Sequence, residues 1–181
     1  IDALIGIRPR IITALSSALS SANLSATVDH STGDIVLDSS VLFDTGKSEI
    51  RAEGKALLDR FVPVYLNVLL RDEYSAYLGE IIIEGYTDST GDYYNNLKLS
   101  QDRALSVATY ILKMPGLTTR QRDLLKSGLL TITGRGATGL IYDQYGNEDK
   151  EASRRVEFHF SLKDSEMIDQ MNRLLQQTEG D

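Results

Sequence analysis

Cysteine is absent from the 181 residues, and histidine occurs only as His30 and His159. The first absence excludes disulfides, thiolate nucleophiles and cysteine zinc sites. The second leaves too few imidazoles for most zinc-hydrolase and catalytic-triad designs, and no metal ligand set or cofactor motif stands out. No run of 18 apolar residues exists, so nothing here reads as a membrane span, and no signal-peptide pattern is visible. The chain starts at Ile1 rather than Met, which leaves an upstream anchor as an open expectation. Basic residues are the scarcer sign, 19 against 26 acidic, giving a net charge of −7. That balance argues against nonspecific binding to nucleic acid or to an anionic membrane. What is present is a globular composition, 41% hydrophobic and 25% charged, at a length that suits one domain with a real core.

Apolar spacing predicts a helix over 8–22, with Pro9 in its first turn. Two short runs, 24–28 and 35–37, flank a glycine-containing turn and read as a hairpin. Residues 51–70 are helical in pattern, with a kink or break expected at Pro63. Ile81 to Ile83 reads as a buried strand, 84–98 as loop, and Ser100 as the N-cap of a helix bearing Ala104, Val107, Ala108 and Ile111. Thr118 or Thr119 caps a short helix through Lys126, and 129–133 is a strand. Along 154–162, Val156, Phe158 and Phe160 alternate with Arg155, Glu157 and His159, the mark of a half-buried strand. A last helix is expected over 164–177. The sum is an α/β (α+β) sandwich, a mixed β-sheet with helices packed on one face.

Three motifs fail on inspection. Gly134-Arg-Gly136-Ala-Thr-Gly139 matches the dinucleotide fingerprint by letter, but no helical apolar period follows it, so it reads as a glycine-rich turn. Gly46-Lys-Ser48 lacks the first glycine of a phosphate-binding loop, since position 41 is Val41. The segment from Asp88 to Leu99 lacks the turn glycine and final glutamate of a calcium loop.

The stretch from Gly85 to Ala104 carries more. Asp88 lies just past a buried strand, and Arg103 is expected in the first turn of the following helix. A loop long enough to fold back brings a carboxylate and a guanidinium towards one pocket, floored by a helix N-terminus with spare N–H groups. Such a pair suits a zwitterion: Arg103 takes a carboxylate by a two-pronged hydrogen bond and Asp88 an ammonium. At roughly 1.5–3 kcal/mol per charge-assisted contact, the two hold a small ligand at about micromolar to millimolar strength. The same spacing also fits a plain Asp88–Arg103 salt bridge.

Gly85-Tyr-Thr-Asp88, Asn96, Leu99-Ser100 and Arg103-Ala104 closely resemble the signature of the OmpA C-terminal-like peptidoglycan-binding domain, a family that includes peptidoglycan-associated lipoproteins and the periplasmic part of MotB-type stators. Val41 to Ile50 resembles the family's opening segment, and Ser153 to Phe158 its closing strand. The resemblance covers 37–162. It leaves a helix and hairpin over 1–36 and a helix over 163–181 as flanking parts. It implies a β-α-β-α-β core that binds the diaminopimelate of the peptidoglycan stem peptide. Asp88 would hold its ammonium and Arg103 its carboxylate. Asn96 and Thr87 would support the loop, Phe43 and Leu99 would line the aliphatic part, and Arg154 or Arg155 would brace Asp88 or the ligand. Tyr86 stands where many members have histidine, with little effect expected.

The flanking parts resemble those of MotB-like stators. They imply a homodimer of the periplasm or envelope, a membrane channel or motor partner, and an inner-membrane helix upstream. A noncatalytic wall anchor is thus the first expectation. A wall hydrolase using Asp88, Asp92 and Asp102 is a second, and a dimerisation module with a vestigial pocket a third.

Overall fold

Phe158 occupies the middle of the core, and the strand that carries it the middle of the sheet. In the computed structural model, which describes residues 6–24, 26–163, 174 and 176, the chain forms α1 (Ile7–Ser21), β1 (Thr27–Val28), β2 (Ile35–Asp38) and the single-turn α2 (Ser39–Leu42). It continues through α3 (Ala52–Leu69), the short α4 (Asp72–Ser75), β3 (Leu78–Tyr86) and α5 (Tyr93–Lys113). Last come α6 (Thr119–Leu124), β4 (Leu130–Gly134), the short α7 (Lys150–Ser153) and β5 (Arg155–Leu162). The five strands run in the order β1-β2-β5-β3-β4. β3 and β4 are parallel and the other neighbours antiparallel, so the sheet is mixed as expected.

The alternation along β5 sets the two faces. Val156, Phe158 and Phe160 are buried. Phe158 packs edge-on against Phe61 and Tyr65 of α3, at centroid distances of 5.1 and 5.6 Å. Phe160 lies under the Arg8 guanidinium of α1. Ile11, Leu15 and Leu19, spaced along one side of α1, enter the same core as α3, β3 and α5. The helical layer therefore covers one face.

Three expectations need correction here. α3 passes through Pro63 as one continuous helix, so of the kink or break expected there the break is excluded. Proline removes one ladder hydrogen bond, but Phe61, Val62, Tyr65 and Leu66 on either side are buried, and that packing holds the helix together. The loop expected over 84–98 is mostly helix and strand: β3 runs to Tyr86, and α5 begins at Tyr93, capped by Asp92, whose carboxylate accepts from the N–H groups of Tyr94 and Asn95. Ser100 is not a cap. It lies inside α5, fully buried, and its hydroxyl accepts from the Gly136 N–H at 2.9 Å.

Elsewhere the match is close. Thr118 caps α6 in a reciprocal capping box with Gln121. The helix expected over 164–177 lies outside the described residues apart from Leu174 and Gln176. Among the described residues, no helix is long and apolar enough to cross a membrane.

Candidate functional site

A cavity of about 530 Å³ opens at the end of β3. Its walls come from four places: α2 and the segment after it, the loop after β3, one side of α5, and Arg154 just before β5. Seven of the eight residues singled out in the sequence line it, namely Phe43, Thr87, Asp88, Asn96, Leu99, Arg103 and Arg154.

Asp88 sits where β3 gives way to a tight loop. Its Oδ1 accepts from the Thr90 N–H at 2.8 Å, and its Oδ2 pairs with Arg154 Nη1 at 2.5 Å. Burial works against the charged form, but the Thr90 N–H and Arg154 outweigh it and hold the carboxyl below its ordinary range. The loop is tied down from within. Asn96 donates to the Thr90 carbonyl at 2.9 Å, and the Thr87 hydroxyl to the Asp88 carbonyl at 3.1 Å.

Arg103 approaches from α5, about three turns into the helix rather than in its first. The cavity floor is therefore a helix side, not a helix N-terminus, and its affinity for anions rests on guanidinium charge. Arg103 is buried, its Nε donates to the Lys47 carbonyl at 2.8 Å and its Nη2 to the Asp44 carbonyl at 3.3 Å. Its guanidinium lies 4.9 Å from the Phe43 ring centroid. Burial, and then the like charge of Arg154, lower its pKa, yet guanidinium stays charged at any physiological pH.

Arg155 is placed elsewhere. The β-strand alternation turns it to the opposite face, where its Nε donates to Glu157 Oε1 at 2.7 Å and its guanidinium stacks 4.0 Å over the Tyr86 ring. Of the two candidate braces, Arg154 is the one on Asp88. Tyr86 also faces away from the cavity, its hydroxyl donating to Glu84 at 2.6 Å.

The sequence reading missed the far wall. Ser39, Ser40, Asp44, Thr45, Gly46, Arg51 and Thr90 also line the cavity. The segment from Val41 to Ile50 was legible as a motif, but its contribution here is largely through backbone carbonyls, which no side-chain pattern announces.

The glycine-rich stretch after β4 serves packing. A Cβ on Gly134 would lie 2.5 Å from the Gln101 backbone nitrogen, one on Gly136 3.3 Å from that of Leu97, and one on Gly139 2.6 Å from the Tyr86 ring. These glycines let the β4 end lie against α5, which sets the position of the cavity wall.

Comparison with known proteins gives a consistent picture. Residues 42–154 match the model of the OmpA family. The Zorya protein ZorB of Escherichia coli (strain ATCC 8739) is 37% identical over 142 residues, 74% of this chain and 59% of that protein. The chain thus spans about three-fifths of that relative's length. Among solved structures, a putative MotB like protein from Desulfovibrio vulgaris superposes with a TM-score of 0.60 at 20% identity, over 87% of this chain and 93% of that one. The cell wall anchor of the T6SS from Pseudomonas aeruginosa does so with a TM-score of 0.52 at 21% identity, over 86% and 99%. At those identities the two structures establish the fold.

Proposed function

The chain belongs to the OmpA family, and from that premise we propose that it is a noncatalytic anchor that grips peptidoglycan through the diaminopimelate of the stem peptide. The observation that carries this reading is the placement of Asp88 and Arg103 on one cavity without pairing to each other. A mutual salt bridge would cancel both charges. Instead Asp88 leans on Arg154, and Arg103 is held by backbone carbonyls. Two of the five guanidinium N–H donors of Arg103 are used by the protein, which leaves three for a carboxylate. Asp88 accepts two hydrogen bonds, which leaves lone pairs for an ammonium. A free amino-acid end offers both charges a few ångströms apart, and Phe43 and Leu99 supply apolar wall for its methylene chain.

The depressed pKa of Asp88 favours binding over hydrolysis. A wall hydrolase needs a carboxylic acid held protonated, with its pKa raised; Asp88 is held charged. The likeness to a structure described as a cell wall anchor supports the same class of role. On this reading the chain is part of an envelope protein of the MotB-like stator type, homodimeric, working in the periplasm beside a membrane channel or motor partner and tethered by an upstream inner-membrane helix.

The test is titration with free diaminopimelate and pull-down on isolated sacculi. Asp88→Ala and Arg103→Ala each weaken binding by about 10- to 100-fold, with circular dichroism unchanged. Equal capture of both variants and the parent rejects the site, and release of muropeptides from the sacculi rejects the noncatalytic role.

A further inference from the structure

The face of the sheet turned away from the helices carries a second cluster, remote from the cavity residues in role and contact. Glu157 and His159 share that face of β5, two residues apart. Glu84 of β3 pairs directly opposite Glu157, and Ile82 opposite His159. Asp34 reaches in from the residue before β2. Strand register alone thus sets two glutamates across from each other, an arrangement that is destabilising unless something positive lies between them.

We propose that Glu84, Glu157 and His159 form a divalent metal site of the zinc class, with Asp34 as the residue that positions the imidazole. The three candidate ligand atoms lie within 4.8 Å of one another. His159 Nε2 is 3.1 Å from Glu84 Oε2 and 2.9 Å from Glu157 Oε2. A tetrahedral zinc with bonds of about 2.0–2.2 Å separates its ligand atoms by about 3.3–3.6 Å, so opening the two His159 contacts by a few tenths of an ångström admits the ion.

The surroundings fit a ligand set. Asp34 Oδ1 lies 2.6 Å from His159 Nδ1. With a metal on Nε2, a carboxylate there would keep the remaining ring proton on Nδ1 and orient the ring, the usual support for a metal-bound histidine. Nε2 is itself buried, and no hydrogen bond of acceptable geometry satisfies it. Glu84 and Glu157 are steadied in turn by the Tyr86 hydroxyl at 2.6 Å and Arg155 Nε at 2.7 Å. Charge points the same way. Three carboxylates facing one guanidinium leave a surplus of two negative charges, which an imidazolium cancels by half and a divalent cation beside a neutral imidazole cancels in full.

A proton is the competitor. Burial disfavours the imidazolium, but the contacts with Glu157 and Asp34 prevail and raise the His159 pKa to about 9. Zinc uptake displaces that proton, so the imidazolium is the competing state.

The experiment is calorimetric titration of the metal-stripped full chain with zinc. One equivalent is expected, with a Kd of about 1 μM or tighter. His159→Ala weakens uptake by at least about 10-fold, Asp34→Asn by about 10-fold, and His30→Ala, at an exposed residue, leaves it unchanged. X-ray absorption on the unaltered zinc-loaded chain guards against misfolding of the variants. It is expected to show one imidazole nitrogen and oxygen ligands at about 2.0–2.2 Å. No uptake at about 100 μM zinc, uptake undiminished in His159→Ala, or a ligand shell without imidazole overturns the proposal.

Discussion

Arg103 illustrates how little freedom a binding residue keeps when its position is set by the backbone. Two carbonyls of the 44–47 turn hold its guanidinium before any ligand arrives, and the Phe43 ring backs it. Arg103→Lys retains a charge but not the fork, so diaminopimelate affinity is expected to fall by about 10-fold or more in the same titration. Asp88 gives a pH dependence. Its pKa is lower in the folded than in the unfolded chain, so its contribution to stability is full above the ordinary carboxylate range and is lost as the pH falls through the folded value. Urea melts of the parent and of Asp88→Asn should differ most near neutrality and converge as the pH falls through the folded value, below the ordinary carboxylate range; a constant gap would contradict the assignment. At this scale the sequence was informative but incomplete. The alternation of Arg155 with Val156 already placed Arg155 on the outer face, and the family motif obscured that by offering both arginines. The metal-type cluster was invisible because Glu84, Asp34 and His159 meet through strand register, not through spacing.

Helix α5 shows why the site was harder to read than the core. Its first two turns expose Tyr93, Tyr94, Asn95 and Lys98, and its buried side there carries Asn96, a polar residue. No apolar stripe marks those turns, so periodicity starts late and Ser100 looks like a cap. Further along, Ala104, Val107, Ala108 and Ile111 make the stripe plain. The close seat of α5 depends on glycine. A Cβ on Gly85 would meet the Ser100 carbonyl oxygen at 2.4 Å. Gly85→Ala and Gly134→Ala each should cost about 1–3 kcal/mol in denaturant melts and, by shifting Arg103, weaken ligand binding as well. Pro63 runs the other way. A proline inside a helix costs about 3 kcal/mol in missing hydrogen bond and clash, so Pro63→Ala is expected to raise the melting temperature; a fall would mean that the proline's own contacts outweigh the backbone term.

At the scale of the whole molecule, the N-terminal helix and hairpin share one core with the segment that matches the family. Ile11 and Leu15 are completely buried in it. Leu15→Ala should therefore cost about 2–5 kcal/mol, a loss that a loosely attached extension would not show. The order β1-β2-β5-β3-β4 has another consequence. The strand made last among these five is the one that joins the two halves of the sheet. Without β5, no strand pairing links the β1-β2 pair to the β3-β4 pair. The entropic cost of that distant closure falls on the docking of β5. Removing β5 therefore leaves two unjoined pairs of strands rather than a shortened sheet.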